Sequence, residues 1–479
     1  MSKRSASPSF NSVSVSASPN KSIKLSPYAD WPAPRESMER AKSFLRDCVQ
    51  GSHRVVLIPD KDADGLSSTL ILYRTLLMMA SRSESTSSSF PTPEIFFLPK
   101  GANVHSLPPS LAQSYSRVIA LDQGSRAGPP LLPGPTTKCL IIDHHYSDMF
   151  PDEAAILSAC KSEPVATSSM LTYMLCCELD DAVKDTQGES ALIGVYGDLG
   201  AGTVKFGKDE PWPSWLAEVE KKSTKSKLSK VVSMLNAPRR TPDFDVEKAW
   251  DVMFNATSLS DIISAPYLLD CRARTTAETA RWQSAGPKFS KDGRIAVIAI
   301  HSGYQVHPLI ATRWAGTLKT AKDLVLVMCT NDLYTPGKTH FSCRVPKSKA
   351  SSASSPSDSS TPNLIEILNT YKPQCEAVSP GWIDRVGGDY ARGHREASGG
   401  IIGDEEFRVL MEVMEIGVKS DEAIKREKEK ERKAQGQKNT LDGYFKPGPG
   451  AKPNPKPKSA RANVPTKTRD TQKIVRKEE

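Results

Sequence analysis

Three apolar runs in this chain each stop on side chains that bind cations or protons. Val55-Val56-Leu57-Ile58 leads to Asp60, Asp62 and Asp64; Val118-Ile119-Ala120-Leu121 leads to Asp122; Cys139-Leu140-Ile141-Ile142 leads to Asp143, His144 and His145. Short apolar runs bounded by polar residues read as buried strands. In an open α/β sheet, ligands collect beyond the carboxyl ends of such strands. A single acid after a strand is commonly a helix cap or a turn former. Three such coincidences, one with an adjacent histidine pair, predict a single metal-binding rim.

The surrounding pattern fits that rim. Met38, Ala41, Phe44, Leu45 and Val49 fall at helical spacing, the first strand follows, and a helix carrying Leu70, Leu72, Leu76 and Met79 is predicted to begin near Leu66. Glu94-Ile-Phe-Phe-Leu98 reads as a further short strand. Alternating strands and helices predict a parallel, doubly wound sheet. The fold class is therefore α/β in two domains, with the active site in the cleft between them. The expected divisions are a disordered segment at 1–35, a catalytic domain at 36–205, a helical connector at 206–290, a smaller α/β domain at 291–418 with a Ser-rich insertion at 347–361, and a basic tail at 419–479.

At 479 residues there is room for two ordinary domains, and no apolar run is long enough to span a membrane. The Ser-rich N-terminal segment has no apolar signal core, so secretory entry is not expected. The nine cysteines lack C-x-x-C spacing and read as reduced thiols of a nuclear or cytosolic protein. The net charge of +9 lies entirely in the tail, where Arg432 to Glu479 holds thirteen Lys and Arg against four Asp and Glu. A basic tail of this kind suits nucleic acid or nuclear import.

Asp60, Asp62 and Asp64 alternate, which in extended backbone puts all three on one side. Like charges so close repel unless a cation neutralises them. The D-x-D-x-D-G spacing also suggests a calcium loop, but the twelfth position is Ile71 where a bidentate Glu is needed. With His144 and His145 added, the oxygen and nitrogen donors suit Mn²⁺ or a related ion better than Ca²⁺. Asp198, flanked by glycine in Gly194-Val-Tyr-Gly-Asp198, is a fourth acidic candidate. Thr167 and Ser168 open a predicted helix after the histidine pair, placed to cap it or to touch phosphate. His301, His307 and His340 read as core or surface histidines.

In these motifs the sequence resembles the DHH phosphoesterase superfamily, RecJ-like branch: Asp60-Lys-Asp-Ala-Asp-Gly-Leu-Ser67, Leu121-Asp-Gln-Gly124, Asp143-His-His145 and Gly194 to Asp198, in that order. Ser342-Cys-Arg344 and Gly393-His-Arg-Glu-Ala-Ser-Gly399 resemble the DHH-associated C-terminal domain. The resemblance implies two ions, Mn²⁺ or Mg²⁺, held by Asp60, Asp62, Asp64, Asp122, His144 and Asp198, with Asp122 bridging. It implies catalytic roles for His145, Asp143 and Asp122, and substrate binding by Arg344, Gly393, His394, Ser398 and Gly399, with the backbone amides of Gly393, Gly399 and Gly400 as an anion nest. Ile58 stands where some relatives place a histidine, so the first motif is of the acid-rich RecJ type.

The activity expected is metal-dependent hydrolysis of nucleic acid by a single-strand exonuclease of replication or repair, with DNA favoured over RNA and bases stacking on aromatics such as Tyr390. Two alternatives stand beside it: a nanoRNase-like or cyclic-dinucleotide phosphodiesterase for very short substrates, and an inactive replication scaffold. In the tail, Lys438-Asn-Thr-Leu-Asp-Gly-Tyr-Phe445 sets Leu441, Tyr444 and Phe445 as an apolar plug and resembles the motif that docks on PCNA. Nuclear localisation, with or without a cytoplasmic pool, is the expectation.

Overall fold

Five strands, β1 (Val55–Pro59), β2 (Glu94–Ile95), β3 (Arg117–Leu121), β4 (Lys138–Asp143) and β5 (Ala154–Ser158), form a sheet in the order β2-β1-β3-β4-β5. Every neighbouring pair is parallel. The computed structural model describes residues 28–82, 90–318, 323–347, 362–419, 424–425 and 428–433. Along β1, β3 and β4 the side chains alternate between two cores. Val55, Leu57, Ile119, Leu121, Leu140 and Ile142 face one, and Val56, Ile58, Val118, Ala120 and Ile141 face the other. A strand buried on both faces must be apolar at every position, which is why these runs carry no polar alternation. Because the strands are parallel, their carboxyl ends share one edge, and Asp60, Asp122 and Asp143 arrive there together.

The helix after β1 runs Ala63–Arg82 and starts earlier than its apolar spacing suggests. Asp64 therefore lies in the first helical turn, and the three acids do not share one extended face. Asp62 Oδ1 accepts from the Asp64 and Gly65 N–H groups, and Asn236 Oδ1, from far along the chain, accepts from Ala63 N–H. These bonds satisfy donors that a helix start leaves open. β5 is not legible in the sequence, being a half-buried edge strand with a short, weakly patterned stretch.

The helical stretch expected as a connector packs onto the first sheet: Trp212, Leu216, Leu228, Val231, Met234 and Leu268 join the same core as Leu57 and Ile119. Beyond it, β6 (Lys288–Phe289), β7 (Ile295–Ile300), β8 (Leu326–Thr335), β9 (Lys338–Arg344), β10 (Arg392–His394) and β11 (Ala397–Gly403) form a second sheet in the order β10-β11-β9-β8-β7-β6. Only β7 and β8 pair in parallel, joined by the helix His307–Thr317. The other pairs are antiparallel. The glycine-rich segment at 392–400 is a β-hairpin, so the backbone of Gly393 and Gly399 belongs to a ladder and makes no open anion nest. Glycine is needed there for another reason: a Cβ on Gly399 would overlap the Phe341 carbonyl of β9.

Residues up to Val418 make one compact unit, and those from Lys419 another. In the second, residues 428–433 are helical, with Lys433 paired to Glu429 at 2.9 Å. The PCNA-like segment 438–445, residues 1–27 and residues 348–361 of the insertion lie outside the described residues.

Candidate metal centre

Four of the predicted ligands converge. Carboxylate oxygens of Asp64, Asp122 and Asp198 and an imidazole nitrogen of His144 lie within 4.8 Å of one another. Asp60, Asp62 and Asp122 form a second group on the same criterion, so the two share Asp122. Asp122 follows β3 with φ +63°, a left-handed conformation that Asp and Asn tolerate better than most residues.

Asp64 is fully buried and held at both oxygens by the start of the helix Ser168–Cys177: Ser168 N–H donates to Oδ2 at 2.7 Å and Ser169 N–H to Oδ1 at 3.0 Å. Ser168 Oγ donates to Asp122 Oδ1 at 2.8 Å. Thr167 caps this helix, its Oγ1 accepting from Met170 N–H. The Thr167-Ser168 pair thus serves the carboxylates and the helix start. A Cβ on Gly194 would overlap Ser169 Oγ and Asp64 Oδ1, so glycine makes room for this arrangement.

The electrostatics are those of a crowded acid cluster. Burial, then the charge of Asp198, pushes Asp64 up to about 7. Burial, then Asp64, Asp62 and Asp198, raises Asp122 well above the ordinary carboxylate range. Burial works to raise Asp60, but the Lys61 ammonium, 2.8 Å from Asp60 Oδ1, together with the charges of Arg239 and His145 more than reverses this and holds that carboxyl low. His144 shows the inverse: burial disfavours its charged form, yet Asp198, Asp64 and Asp143 lift it to about 10.

The geometry of His144 fits a cation. Its Nε2 lies 3.0 Å from Asp198 Oδ2 and 3.7 Å from Asp122 Oδ1, yet is buried and makes no hydrogen bond. A buried nitrogen set against two carboxylates without an aligned hydrogen bond among the described residues is placed as a metal ligand would be. Divalent ions would be held by Asp60, Asp62, Asp64, Asp122, His144 and Asp198, a mixed oxygen and nitrogen set.

Asp143 differs from the other acids. Its oxygens accept N–H groups of Ser125, His144 and His145 and lie 2.8 Å from His145 Nδ1. Burial raises its pKa, but His145 and these donors more than reverse that. Through these contacts Asp143 orients the histidines, and with Asp122 and His145 it also forms a third group of donor atoms within 4.8 Å of one another.

The second sheet closes the centre. His394 at the end of β10 stacks on His145, ring centroids 5.4 Å apart, and meets His144 edge-on at 5.2 Å. Arg126 and Asp389 tie the two sheets together at 3.0 Å. Ser398, in β11 of the hairpin, is buried, its Oγ donating to Arg392 O. Arg344, at the end of β9, bonds Thr312 and Ser342 hydroxyls. It is joined by two residues that sequence reasoning missed. Arg239 reaches Asp62 at 3.5 Å and also bonds Asn236 and Gln305. Among the described residues Arg240 has no hydrogen-bonded acid, and burial together with the Arg239 charge pulls it down to about 9. The signal available was a pair of adjacent arginines straight after Pro238, next to a neutral helix end. Tyr390 is not a stacking platform: it is 4% exposed, and its hydroxyl donates to Leu368 O.

Comparison with known proteins accords with this geometry. The family model described as DHH family, N-terminal domain, matches residues 54–195. Among solved structures, RecJ from Thermus thermophilus in complex with Mn²⁺ aligns with a TM-score of 0.52 at 16% identity, over 80% of this chain and 54% of that one. The chain thus spans about half the length of that relative. The DHH domain of a member of the s1p family of ribosomal proteins aligns with a TM-score of 0.54 at 12% identity, over 80% of this chain and 92% of that one. No curated protein matches the sequence. Residues 54–195 thus match the DHH family N-terminal domain and lie in a two-sheet α/β fold similar to that of RecJ.

Proposed function

We propose that the protein is a metal-dependent phosphodiesterase that hydrolyses single-stranded nucleic acid from an end. The observation that carries this reading is the pair of donor groups sharing Asp122, with guanidinium groups close by that no acid fully neutralises. When bound, two divalent ions supply the positive charge that polarises a phosphodiester and makes water nucleophilic at neutral pH. The chain's own residues do the rest. Asp64, fixed by the Ser168 and Ser169 amides, and Asp122, fixed by Ser168 Oγ, hold their oxygens in place before substrate arrives. Asp143 engages His145 Nδ1, which leaves Nε2 as the nitrogen free to donate a proton to a phosphate or leaving-group oxygen. His394 forms the opposite wall, and Arg344 and Arg240 take non-bridging phosphate oxygens, for which a planar guanidinium is suited.

In the cell this reading places the protein in the nucleus, in DNA replication or repair, with its tail docking on PCNA through Leu441, Tyr444 and Phe445. The enzymatic part is tested with Mn²⁺, 5′-labelled and 3′-labelled single strands, duplexes, and two-to-five-nucleotide oligomers. Stepwise loss of long single strands from one end supports the reading. Cleavage confined to the shortest oligomers replaces it with the short-substrate alternative, and no cleavage of any substrate replaces it with a scaffold. The tail is tested by a PCNA pull-down, which is expected to fail for Tyr444→Ala with Phe445→Ala while hydrolysis is unchanged.

A further inference from the structure

A second pocket opens directly beside the centre. Asp60, one of the acids grouped with Asp122, also lines a cavity of about 130 Å³ between the first sheet, the helical stretch and the second sheet. That is well below the about 300–1,000 Å³ of sites that enclose drug-sized ligands, and it suits one flat ring system.

Its lining has three kinds of group. Phe97 and Phe244 supply aromatic surface, while Tyr334, 3% exposed and with its hydroxyl donating to Arg239 O, contributes only to the wall. Asn103 and Gln305 supply amides whose oxygens are already engaged, by His105 N–H and by Arg239 Nη1, so their N–H donors are uncommitted among the described residues. Lys61 and Lys338 line it as well, and Lys100 sits 3.8 Å over the Tyr334 ring. Phe244 stands at φ +53°, in the left-handed region where a bulky side chain is an outlier held by its surroundings. Such outliers concentrate at ligand sites.

Aromatic faces attract a planar base, free N–H donors match carbonyl and ring-nitrogen acceptors, and ammonium groups match the phosphate on the same nucleotide. We propose that this cavity takes the base of a single nucleotide of the substrate, whose phosphate reaches the centre past Asp60 and Lys61. The inference rests on the function proposed above and adds to it that one base beside the scissile bond is read individually.

The test is a calorimetric comparison, on the full chain in Mn²⁺, of thymidine 5′-monophosphate with deoxyribose 5-phosphate, which carries the phosphate without the base. The wild type is expected to bind the nucleotide at least about tenfold more tightly, since base stacking on an aromatic is worth that much. Phe244→Gly, which keeps the left-handed backbone and removes the ring, is expected to bring the ratio close to one. Ala102→Trp, which fills the cavity from its wall, is expected to do the same. Equal binding of both ligands by the wild type, or binding of neither, overturns the pocket. So does loss of both ligands alike in both variants when their circular-dichroism spectra are native. Strands with one abasic residue, walked in from each end, separate this inference from its parent. Hydrolysis of normal strands that is indifferent to every abasic position removes the pocket and leaves the phosphodiesterase. Base-dependent binding with no hydrolysis of any strand does the reverse.

Discussion

The imidazole of His145 lies almost parallel to that of His394, with ring centroids 5.4 Å apart and planes at 16°, although the first follows β4 and the second ends β10 of the other sheet. Asp143 fixes the His145 ring through Nδ1, so the stack sets the position of His394 relative to the acids. Removing the outer ring is expected to leave the acids unaltered. In His394→Ala, kcat/KM on single strands is expected to fall about 10²-fold, the cost of losing one well-placed donor, while Mn²⁺ affinity by calorimetry changes less than about threefold. Equal losses of metal binding and of activity would instead make His394 part of the metal site.

Gly194 tests how Asp64 is held. A methyl group there would press on Ser169 Oγ and Asp64 Oδ1, and overpacking of this kind costs about 1–3 kcal/mol. Gly194→Ala is expected to lower stability in urea by about that amount and to weaken Mn²⁺ binding. Gly200→Ala, which meets nothing within 4 Å although its φ is +81°, is expected to leave metal binding unchanged.

Arg240 is expected to act on substrate alone. With no acid hydrogen-bonded to the guanidinium among the described residues, Arg240→Ala should raise KM for single strands about tenfold or more with kcat nearly unchanged and Mn²⁺ affinity intact. Arg240→Lys should recover only part, because an ammonium cannot bind phosphate bidentately. The check is steady-state kinetics on end-labelled strands across a substrate series.

His340 gives the second sheet an acid sensitivity. It is 2% exposed, and burial followed by the charges of Lys100, Lys338 and Lys61 holds it down to about 4, against about 6.5 in an unfolded chain. Between those values the unfolded state binds the proton and the folded state resists it. The stability at stake is whole above pH 6.5 and is lost as pH falls toward 4, with an upper bound on the order of 3 kcal/mol. Urea unfolding of wild type and His340→Gln from pH 7.5 to 4.5 is expected to show a shallower decline in the variant. Parallel declines would show that His340 is not a source of the sensitivity.

The parts of this architecture that were legible are those where a local pattern and a local function coincide. A strand buried on both faces has to be an apolar run, and its carboxyl end has to change character abruptly, so Asp60, Asp122 and Asp143 announced themselves. Asn236 could not, because its bond to Ala63 N–H joins residues 173 positions apart. Arg239 and Arg240 show in the sequence only as adjacent arginines after Pro238, and their place beside the acid cluster appears only once the chain has folded. The early start of the helix at Ala63 reflects capping by Asp62 and Asn236, which apolar spacing does not register. The hairpin of β10 and β11 reads as a loop because its glycines, which let backbones approach, look the same in sequence as glycines that let a chain turn.

The most direct test of the two-ion reading is Asp122, which belongs to both acid groups. Asp122→Asn keeps the side-chain shape and a residue that tolerates φ +63°, while removing the charge that would be shared. Mn²⁺ binding should be measured by calorimetry alongside hydrolysis of end-labelled single strands. The expected result is two Mn²⁺ per wild-type chain, at most one per variant chain, and a fall in kcat of at least about 10³-fold, with a melting temperature of the metal-free variant no lower than wild type because acid repulsion is relieved. Two ions bound by the variant, or hydrolysis within about tenfold of wild type, would contradict it.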